Sequence, residues 1–479
     1  MAAPESLEAL RAELVGLLGE RGVSADIKTR ERASVDEATM SPILSEQLPL
    51  GLADLVAYPA SAEEIATVLA AATRHGVPVT ARGKGTGNYG QGIPLHGGLV
   101  LDTSRARAVV GVGDGVITAE AGAPMVLLEQ AAIASGQQLW MYPSTAQSTL
   151  GGFLSGGSGG TGSIAHGSNW EGFVVSLDVA LPGPEPTLVH VEGAEAQPFV
   201  HTYGTAGIIA RATVQLEPAQ DWRALYASFP SFEEALVAVR TLRGLEPAPR
   251  LVSADRAAVA DRLPADAAIP AGRASLRAIV DATALDAASA LVRTAGGAVE
   301  TVREGAPQTV KVSMLSYNHP IWWLKKNSPD KEYFHVEVGG EALIDRIHEV
   351  EDVYPGGMLH IEAAHVFPIG MLAAEYTGAA DVYAGYEKLV GLGVRVHSPH
   401  QFYVDHGVEE LLALKARTDP DGLLNPGHLG APELVAVGNS TASAQPTRSA
   451  QPAPSAQPTG STGSAQPSRS AQQGSQETA

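Results

Sequence analysis

The sequence predicts a mixed α+β fold with two folded units, and three observations lead to this prediction. Between Leu55 and Leu101 the apolar pattern alternates strand, helix and strand around a glycine-rich loop. From Asp221 onward a strand–helix–strand pattern occurs twice in succession. The hydrophobic fraction of 44% is large enough to fill the cores of such units. By length alone, 479 residues allow two large domains or three of roughly 150 residues each.

The first unit is expected over residues 51–218, after an N-terminal helical segment at 1–50. Its first helix begins at Ser61-Ala-Glu-Glu64, the sequence pattern of a capping box, and its apolar residues recur with helical spacing until His75-Gly76 ends it. A second helix is expected over Met125–Ser135. Strands are expected at Leu55, Val77–Ala81, Leu99–Leu101, Gly115–Ala121, Val174–Leu181 and Ile208–Leu216.

The second unit is expected over residues 219–390. Its two strand–helix–strand halves predict a small antiparallel sheet with helices on one face, a ferredoxin-like arrangement. The first helix of the pair starts at a second capping box, Ser231-Phe-Glu-Glu234. The expected strands are Trp222–Ser228, Arg250–Ala254, Ala274–Val280 and one near Val299, with a second helix over Leu285–Thr294.

The C-terminal part of the chain contains two segments that differ from the second unit, a return to the first unit and a tail of biased composition. From about Ala379 the chain is expected to return through helices to the first unit, and residues 391–437 form this C-terminal return. Over residues 438–479, Ser, Ala, Gln, Pro, Thr and Gly dominate, and Ser-Ala-Gln-Pro occurs four times. Because such a segment has almost no large apolar residues to bury, we expect it to be disordered.

Charge and composition exclude several classes of function. The chain has 32 Lys and Arg against 52 Asp and Glu, a formal net charge of −20, which disfavours binding to nucleic acid or to an anionic membrane surface. It contains no cysteine, which excludes disulfides, thiolate catalysis and iron–sulfur clusters within the chain. No signal peptide and no apolar stretch long enough to span a membrane are recognisable, so a cytoplasmic location is expected.

Two glycine-rich stretches are the most informative features. Arg82–Gly92 has five glycines in eleven residues, and Pro143–Ser163 combines glycines with hydroxyl side chains. Such segments let successive backbone N–H groups converge on a phosphate. The first stretch lies between two expected strands and matches neither the Walker loop nor the Rossmann fingerprint. Gly156–Gly160 alone is also typical of a linker, but apolar residues flank it on both sides.

Four motifs together resemble a known family. They are Arg82–Gly92, Pro143–Ser163, Tyr203-Gly-Thr-Ala-Gly-Ile-Ile209 and Asp419-Pro-Asp-Gly-Leu-Leu-Asn-Pro-Gly427. In this order and spacing they resemble the FAD-linked oxidases of the vanillyl-alcohol oxidase superfamily, in the glycolate oxidase and D-lactate dehydrogenase-like branch, over about residues 50–429. The resemblance implies a two-lobed FAD-binding domain of the PCMH type and a ferredoxin-like α/β cap domain above the flavin.

The resemblance also assigns residues to FAD. The first loop would hold the pyrophosphate through its backbone, the second stretch would run along the pyrophosphate and the isoalloxazine, the third would meet adenine and ribose, and Asn425 would approach the flavin ring. The residues so assigned are Arg82, Gly83, Lys84, Gly85, Thr86, Gly87, Asn88, Pro143, Ser144, Thr145, Ser148, Thr149, Gly151, Gly152, Gly157, Gly159, Gly160, Ser163, Gly204, Gly207, Ile208, Ile209 and Asn425.

The chain departs from the family at three points. Relatives that bind FAD covalently carry a histidine where this chain has Thr86, so we expect noncovalent FAD. Lys84 replaces a common glycine; its ammonium could neutralise phosphate charge, or it could simply be solvated. The motif rich in histidine that holds a metal in some 2-hydroxy acid relatives is missing, so no metal is expected and oxidation of a simple 2-hydroxy acid is not assured.

Substrate chemistry requires a proton acceptor beside the flavin, and the candidate catalytic residues are His319, His400 and Tyr403. His319 precedes an apolar segment that forms either the pocket wall or core. His400 and Tyr403 stand shortly before the segment that carries Asn425. His360 and Glu362 share one face of an expected strand, where a metal site is only a minor alternative.

The function expected from the resemblance is FAD-dependent oxidation of a small hydroxylated substrate, a 2-hydroxy acid or an alcohol, by hydride transfer to flavin N5. The electrons would pass to oxygen or to a separate carrier. Two alternatives stay open at this point. One is an NADPH-dependent flavin reductase of the same fold, and the other is a noncatalytic flavin-binding subunit that relays electrons.

Overall fold

A computed structural model describes residues 2–48 and 51–430, which fold as a mixed α+β structure. The expected tail at 438–479 and the end of the C-terminal return lie outside the described residues. Within the described residues, no helix combines the length and apolarity needed to cross a bilayer.

The first lobe is a four-stranded sheet with helices packed on it. Its strand order is β1-β2-β4-β3, with β4 parallel to both of its neighbours and β1 antiparallel to β2. The N-terminal segment contributes strand β1 as well as helices. The strands are β1 (Val23–Ser24), β2 (Leu55–Ala57), β3 (Val79–Arg82) and β4 (Leu99–Asp102), and the helices are α1 (Pro4–Leu18), α2 (Ile27–Ala33), α3 (Pro42–Gln47) and α4 (Ala62–Arg74).

Local sequence signals explain where α4 lies. The Ser61 hydroxyl accepts a hydrogen bond from the Glu64 N–H, while the Glu64 carboxylate accepts the Ala60 N–H rather than that of Ser61. The apolar positions of α4, such as Ile65 and Leu69, are fully buried against the sheet. The first glycine-rich stretch follows β3 directly and precedes β4, which confirms its expected position between two strands.

The second lobe is a six-stranded antiparallel sheet. Its order is β5-β6-β10-β8-β9, and β7 pairs with the end of β10. The strands are β5 (Val109–Val112), β6 (Val116–Glu120), β7 (Gln137–Leu139), β8 (Val174–Leu181), β9 (Thr187–Glu192) and β10 (Ile208–Pro218), and the helices are α5 (Met125–Ala134), α6 (Leu150–Gly156) and α7 (Ser163–His166). The second glycine-rich stretch therefore connects β7 to β8 and includes α6.

The third sheet has eight antiparallel strands, twice the number expected, in the order β14-β11-β13-β12-β16-β17-β15-β18. The strands are β11 (Trp222–Phe229), β12 (Leu251–Asp255), β13 (Ala274–Asp281), β14 (Ala298–Glu304), β15 (Tyr333–Gly339), β16 (Met358–Glu362), β17 (Ile369–Glu375) and β18 (Arg395–His397). The helices are α8 (Phe232–Leu242), α9 (Ala257–Ala260), α10 (Leu285–Thr294), α11 (Ala306–Ser313), α12 (His319–Lys326), α13 (Ala342–Asp345), α14 (Ile347–Glu351), α15 (Ala379–Gly391) and, after the sheet, α16 (Val408–Thr418).

Two ferredoxin-like modules make up this cap sheet. The first, β11 to β14, has the expected order of four strands with α8 and α10 as its helices. The second, β15 to β18, repeats the same strand order with α13, α14 and α15, and β12 pairs with β16 to join the modules edge to edge. The expectation that the chain leaves the cap from about Ala379 was wrong, because α15 packs on the cap and β18 pairs with β15.

The two faces of the cap sheet differ in polarity because side chains alternate along each strand. Val252, Ala254 and Ile361 point to the apolar core under α8, α10 and α15. Their neighbours on the opposite face carry buried polar groups. These are Ser253, Asp255, Arg277, His335, His360 and Glu362, and the half-buried Glu337 lies on the same face. Helices α11 and α12 pack on this polar face.

We predict that Arg277→Met destabilises the fold by about 3–5 kcal/mol, because it leaves the Asp255 carboxylate buried without its guanidinium partner. Both side chains are completely buried. Urea titration followed by far-UV circular dichroism measures the loss. The control is Lys331→Met, which removes an exposed pair with Glu375 and should cost less than ~1 kcal/mol. Equal losses in the two variants would contradict the prediction.

Candidate active site

The two glycine-rich stretches lie against each other. The Thr86 and Ser148 hydroxyls are 2.7 Å apart and form a hydrogen bond. A Cβ atom at Gly83 would lie 2.1 Å from the Thr149 hydroxyl oxygen, so only glycine allows this approach. The sequence therefore needs a residue without a side chain at the point where the two segments meet.

Hydroxyl groups order the second stretch from within. The Thr149 hydroxyl caps α6 by accepting the Gly152 N–H at 3.2 Å, and the Ser163 hydroxyl accepts the Gly160 N–H at 2.9 Å. A Cβ atom at Gly160 would lie 2.0 Å from the Tyr142 carbonyl oxygen. The stretch is thus a packed structural element and not a flexible linker.

Asn425 joins three of the four motifs. Its buried side-chain amide donates to the carbonyls of Tyr203, at 2.8 Å, and Gln91, at 3.1 Å, and its amide oxygen accepts from the Thr80 hydroxyl at 3.2 Å. Asn425 and Tyr203 both have positive φ. Both the nitrogen and the oxygen of this amide therefore bond to the protein, and they position the first loop and the third motif. The expected contact of Asn425 with the flavin ring stays a prediction.

The third motif enters strand β10. Gly204 follows Tyr203 in the left-handed region, and Gly207 packs against Val179 of β8. Ile208 and Ile209 have buried side chains and pair with β8, whereas pairing of β10 with β6 begins only at Arg211. The other backbone edge of these two residues is thus not paired with a strand, which is compatible with the expected main-chain contacts.

A basic cleft borders the first loop. Lys84, which is exposed, lies with Arg105 and Arg107 around a cleft of about 450 Å³ that also contacts Thr149. In a chain with net charge −20, three cations around one cleft make it a local site of positive potential. A larger surface cleft of about 580 Å³ around Trp170 and Gln215 contains none of the residues assigned to FAD.

The N-terminal segment packs directly on the first loop. The Glu37 N–H donates to the Gly87 carbonyl at 2.8 Å, and the Asn88 amide contacts the Met40 sulfur at 4.0 Å. The Asp36 carboxylate accepts the Ala38 N–H at 2.9 Å, and burial raises the pKa of Asp36 to about 6. No local sequence pattern predicts this contact, because it joins segments about 50 residues apart in the chain.

His319 reaches the second glycine-rich stretch from the cap. It begins helix α12, and its Nε2 lies 3.1 Å from the Thr145 hydroxyl. Burial lowers the pKa of His319 to about 4. Two residues earlier, Tyr317 has positive φ and donates its hydroxyl to the Gly160 carbonyl at 2.8 Å. The segment Tyr317–His319 therefore contacts this stretch at two points.

A buried network holds that segment from the cap side. The Glu362 carboxylate accepts the Tyr317 N–H and lies 3.0 Å from Nε2 of His360, whose Nδ1 lies 2.8 Å from Asp255. Burial disfavours a charged imidazole here, but the attraction of Asp255 and Glu362 is stronger and raises the pKa of His360 to about 9. His360 and Glu362 share a face of β16, as the sequence indicated, and act here as a hydrogen-bonded pair.

A second polar network links the cap to the first loop. Tyr89 of that loop donates its hydroxyl to Glu337 of β15. His397 lies between Glu337, at 2.8 Å, and Asp405, at 3.3 Å. Burial opposes protonation of His397, yet the two carboxylates raise its pKa to about 10. The sequence analysis did not identify Tyr89 or Glu337 as site residues. For Tyr89, its position inside a glycine-rich loop was a feature from which a role could have been predicted.

The other two catalytic candidates lie apart from His319. His400 is buried, with Nδ1 2.7 Å from the Ser41 hydroxyl, and burial lowers its pKa to about 3. Tyr403 is half-buried beside Phe402, with ring centroids 5.9 Å apart. Among the described residues, no hydrogen bond or ring contact joins Tyr403 to His319 or His400. The roles of all three stay predictions.

Comparison with known proteins gives a family match over part of the first two lobes. Residues 53–190 match the model of an FAD binding domain. An uncharacterized FAD-linked oxidoreductase of Mycobacterium tuberculosis is 31% identical over 195 residues, which are 38% of this chain and 42% of the relative. D-Lactate dehydrogenase of Archaeoglobus fulgidus is 28% identical over 193 residues, 38% of this chain and 43% of the relative. The chain thus matches less than half the length of these two relatives.

Longer matches exist at lower identity. Glycolate oxidase subunit GlcD of Escherichia coli is 24% identical over 440 residues, 78% of this chain and 83% of the relative. Among solved structures, alkyldihydroxyacetonephosphate synthase superposes with a TM-score of 0.70 at 17% identity, covering 89% of this chain and 85% of that one. This second likeness shows the fold alone, and it includes the cap.

The expected PCMH-type fold, the resemblance to FAD-linked oxidases and the assignment of FAD are confirmed by these matches together. Residues 53–190 of this chain therefore match the FAD binding domain family, and the cofactor is FAD.

Proposed function

We propose that this chain is an oxidoreductase that uses FAD to oxidise a small hydroxylated substrate, a 2-hydroxy acid or an alcohol, and passes the electrons to oxygen or to a separate carrier. The observation that carries this proposal is the hydrogen bond between Thr145 and His319, which brings an imidazole from the cap onto the glycine-rich wall. The names of the relatives, among them a D-lactate dehydrogenase and a glycolate oxidase subunit, support the substrate class.

The residues present fit FAD. The first glycine-rich stretch meets the second at Gly83, where a Cβ atom would clash with the Thr149 hydroxyl, and the second stretch folds on itself at Gly160, where a Cβ atom would clash with the Tyr142 carbonyl. A cleft with three basic side chains adjoins them. In the proposal, Arg82–Asn88 hold the pyrophosphate, and Pro143–Thr149 with Gly157–Ser163 run along the ring system. When bound, FAD supplies the acceptor of a hydride at N5.

His319 is proposed to accept the proton of the substrate hydroxyl. With its pKa lowered to about 4, the imidazole is neutral at pH 7 and keeps a nitrogen lone pair that accepts a proton. Thr145 orients the ring through Nε2, and Glu362 together with the Gly160 carbonyl fixes the preceding Tyr317. His400 and Tyr403 stay candidates for contact with other parts of the substrate.

The FAD is expected to be noncovalent, because Thr86 stands where a covalently linked relative would have histidine. Acid precipitation of the purified yellow protein should therefore release the flavin into the supernatant, as measured by absorbance near the flavin maximum. Pigment that stays in the precipitate would contradict the proposal.

We predict that Gly160→Ala weakens FAD binding at least about tenfold, because the added Cβ would push the wall away from the Tyr142 carbonyl. Titration of the flavin-free protein with FAD, followed by flavin fluorescence, measures the dissociation constant. Gly111→Ala is the matched control, since its Cβ would meet nothing within 4 Å. An unchanged affinity in Gly160→Ala, with native circular dichroism, would refute the assigned role.

We predict that His319→Ala slows flavin reduction by about 10²–10⁴-fold while leaving FAD bound, because it removes the proton acceptor. Anaerobic stopped-flow absorbance with D-lactate or glycolate measures the rate. His190→Ala, at an exposed histidine paired with Asp178, should reduce at the wild-type rate. A wild-type rate in His319→Ala would exclude His319 as the base, and absence of reduction in the wild-type protein by these acids and by 1,2-propanediol would exclude the proposed function.

A further inference from the structure

The outer edge of strand β5 is open. β5 (Val109–Val112) lies at one end of the six-stranded sheet, and its only strand partner in the described part of the chain is β6. All four of its residues are exposed, and Val110, at 56%, is among the most exposed large apolar side chains. An open strand edge offers a row of N–H and C=O groups to another strand, and it pairs readily unless the protein protects it.

Proteins usually protect such edges with charged side chains or proline, and β5 has neither. Among the described edge strands of four or more residues, β3 has Arg82, β9 has Glu192 and β14 has Glu304, whereas β5 has no charged residue. The uncharged segment extends from Ala108 to Gly113. In a chain of net charge −20, a neutral apolar edge is a place where two copies repel each other least.

The irregular pairing of β5 with β6 gives the strand an apolar face. Val109 lies opposite Ala119 and Val112 lies opposite Ile117, and both of these β6 residues belong to the core that contains α5. Because of the irregularity between Val109 and Gly111, two valines that are three positions apart share one face of the sheet. In an antiparallel pair of β5 strands, Val109 of one copy can therefore lie opposite Val112 of the other.

Helix α5 extends the apolar surface beside the strand. It contacts β5, and its side chains Leu127 and Ile133 are exposed. A pair of four-residue strands is by itself a small contact, so a stable interface needs apolar area of this kind next to it.

Two charges of opposite sign flank β5. Arg107 lies two residues before the strand, and Asp114 lies two residues after it. Both are exposed, and neither forms an ion pair or a side-chain hydrogen bond with another described residue. An antiparallel pairing puts the start of one strand beside the end of the other, so each Arg107 meets Asp114 of the second copy. Two-fold symmetry forms this ion pair twice.

We propose that β5 is the interface of a homodimer, in which two β5 strands pair antiparallel about a two-fold axis and join the six-stranded sheets of two copies into one. A second copy of this chain is the occupant that fits, because the edge is complementary to itself in its valine face and in its flanking charges. This inference concerns assembly and does not depend on the proposed function.

Analytical ultracentrifugation of the full-length protein with FAD bound tests the interface. We expect an equilibrium between monomer and dimer, and we expect Val110→Lys to weaken the dimer at least about tenfold, because it adds two charges to the paired edge. Val366→Lys is the matched control. This valine is 67% exposed between β16 and β17, and its change should leave the dissociation constant within about twofold of the wild-type value.

Exchange of the flanking charges tests the orientation of the two strands. Arg107→Asp alone should weaken the dimer about three- to tenfold, since two attractive pairs become repulsive. The double variant Arg107→Asp with Asp114→Arg should return the dissociation constant to within about twofold of the wild-type value. A double variant that stays as weak as Arg107→Asp would overturn the antiparallel pairing.

Hydrogen exchange gives an independent measurement, which decides the question even if Val110→Lys does not fold. The amides of Val109–Val112 should exchange more slowly in the dimer than in the monomer, whereas those of β9, at the opposite edge of the same sheet, should not change. Wild-type protein that stays monomeric up to about 100 μM would overturn the proposal. So would a dimer that Val110→Lys leaves intact, or one in which β5 exchanges as fast as in the monomer.

Discussion

The structure of the site depends on close packing at two glycines of the glycine-rich stretches, where no side chain fits. Gly83 lies against Thr149, and Gly160 lies against the Tyr142 carbonyl, at distances that no Cβ atom allows. Hydroxyl groups of the same segments, such as Thr86 and Ser148, replace the missing side-chain packing with hydrogen bonds. The result is a wall with many exposed backbone groups, which is the kind of surface that a dinucleotide requires.

The cap brings His319 to the second glycine-rich stretch because of how its two modules join. Pairing of β12 with β16 puts Asp255 opposite His360, and the polar face of one module thereby continues into the polar face of the other. Polar groups buried on a sheet face need partners that an apolar helix cannot give. In the turn before α12, the Tyr317 N–H is such a partner, because it donates to the Glu362 carboxylate. This hydrogen bond holds the start of α12, where His319 lies beside Thr145.

The N-terminal segment belongs to the same assembly. Glu37 donates to the first loop, Met40 accepts from Lys325, and Ser41 bonds to His400. The N-terminal segment therefore contacts three other parts of the chain in one polar region.

The sequence by itself determined the local elements and the cofactor. Strand β8 and helix α10 have the predicted bounds, and Ser61 and Ser231 cap the starts of α4 and α8 as predicted, because these features depend on neighbours within a few residues. FAD was assigned from the resemblance that the four motifs carry. Tertiary structure alone decided the doubling of the cap sheet, the Glu362 network, and the contacts of the N-terminal segment with Lys325 and His400. Those contacts depend on strand order and on the burial of charge, and neither leaves a periodic pattern in the sequence.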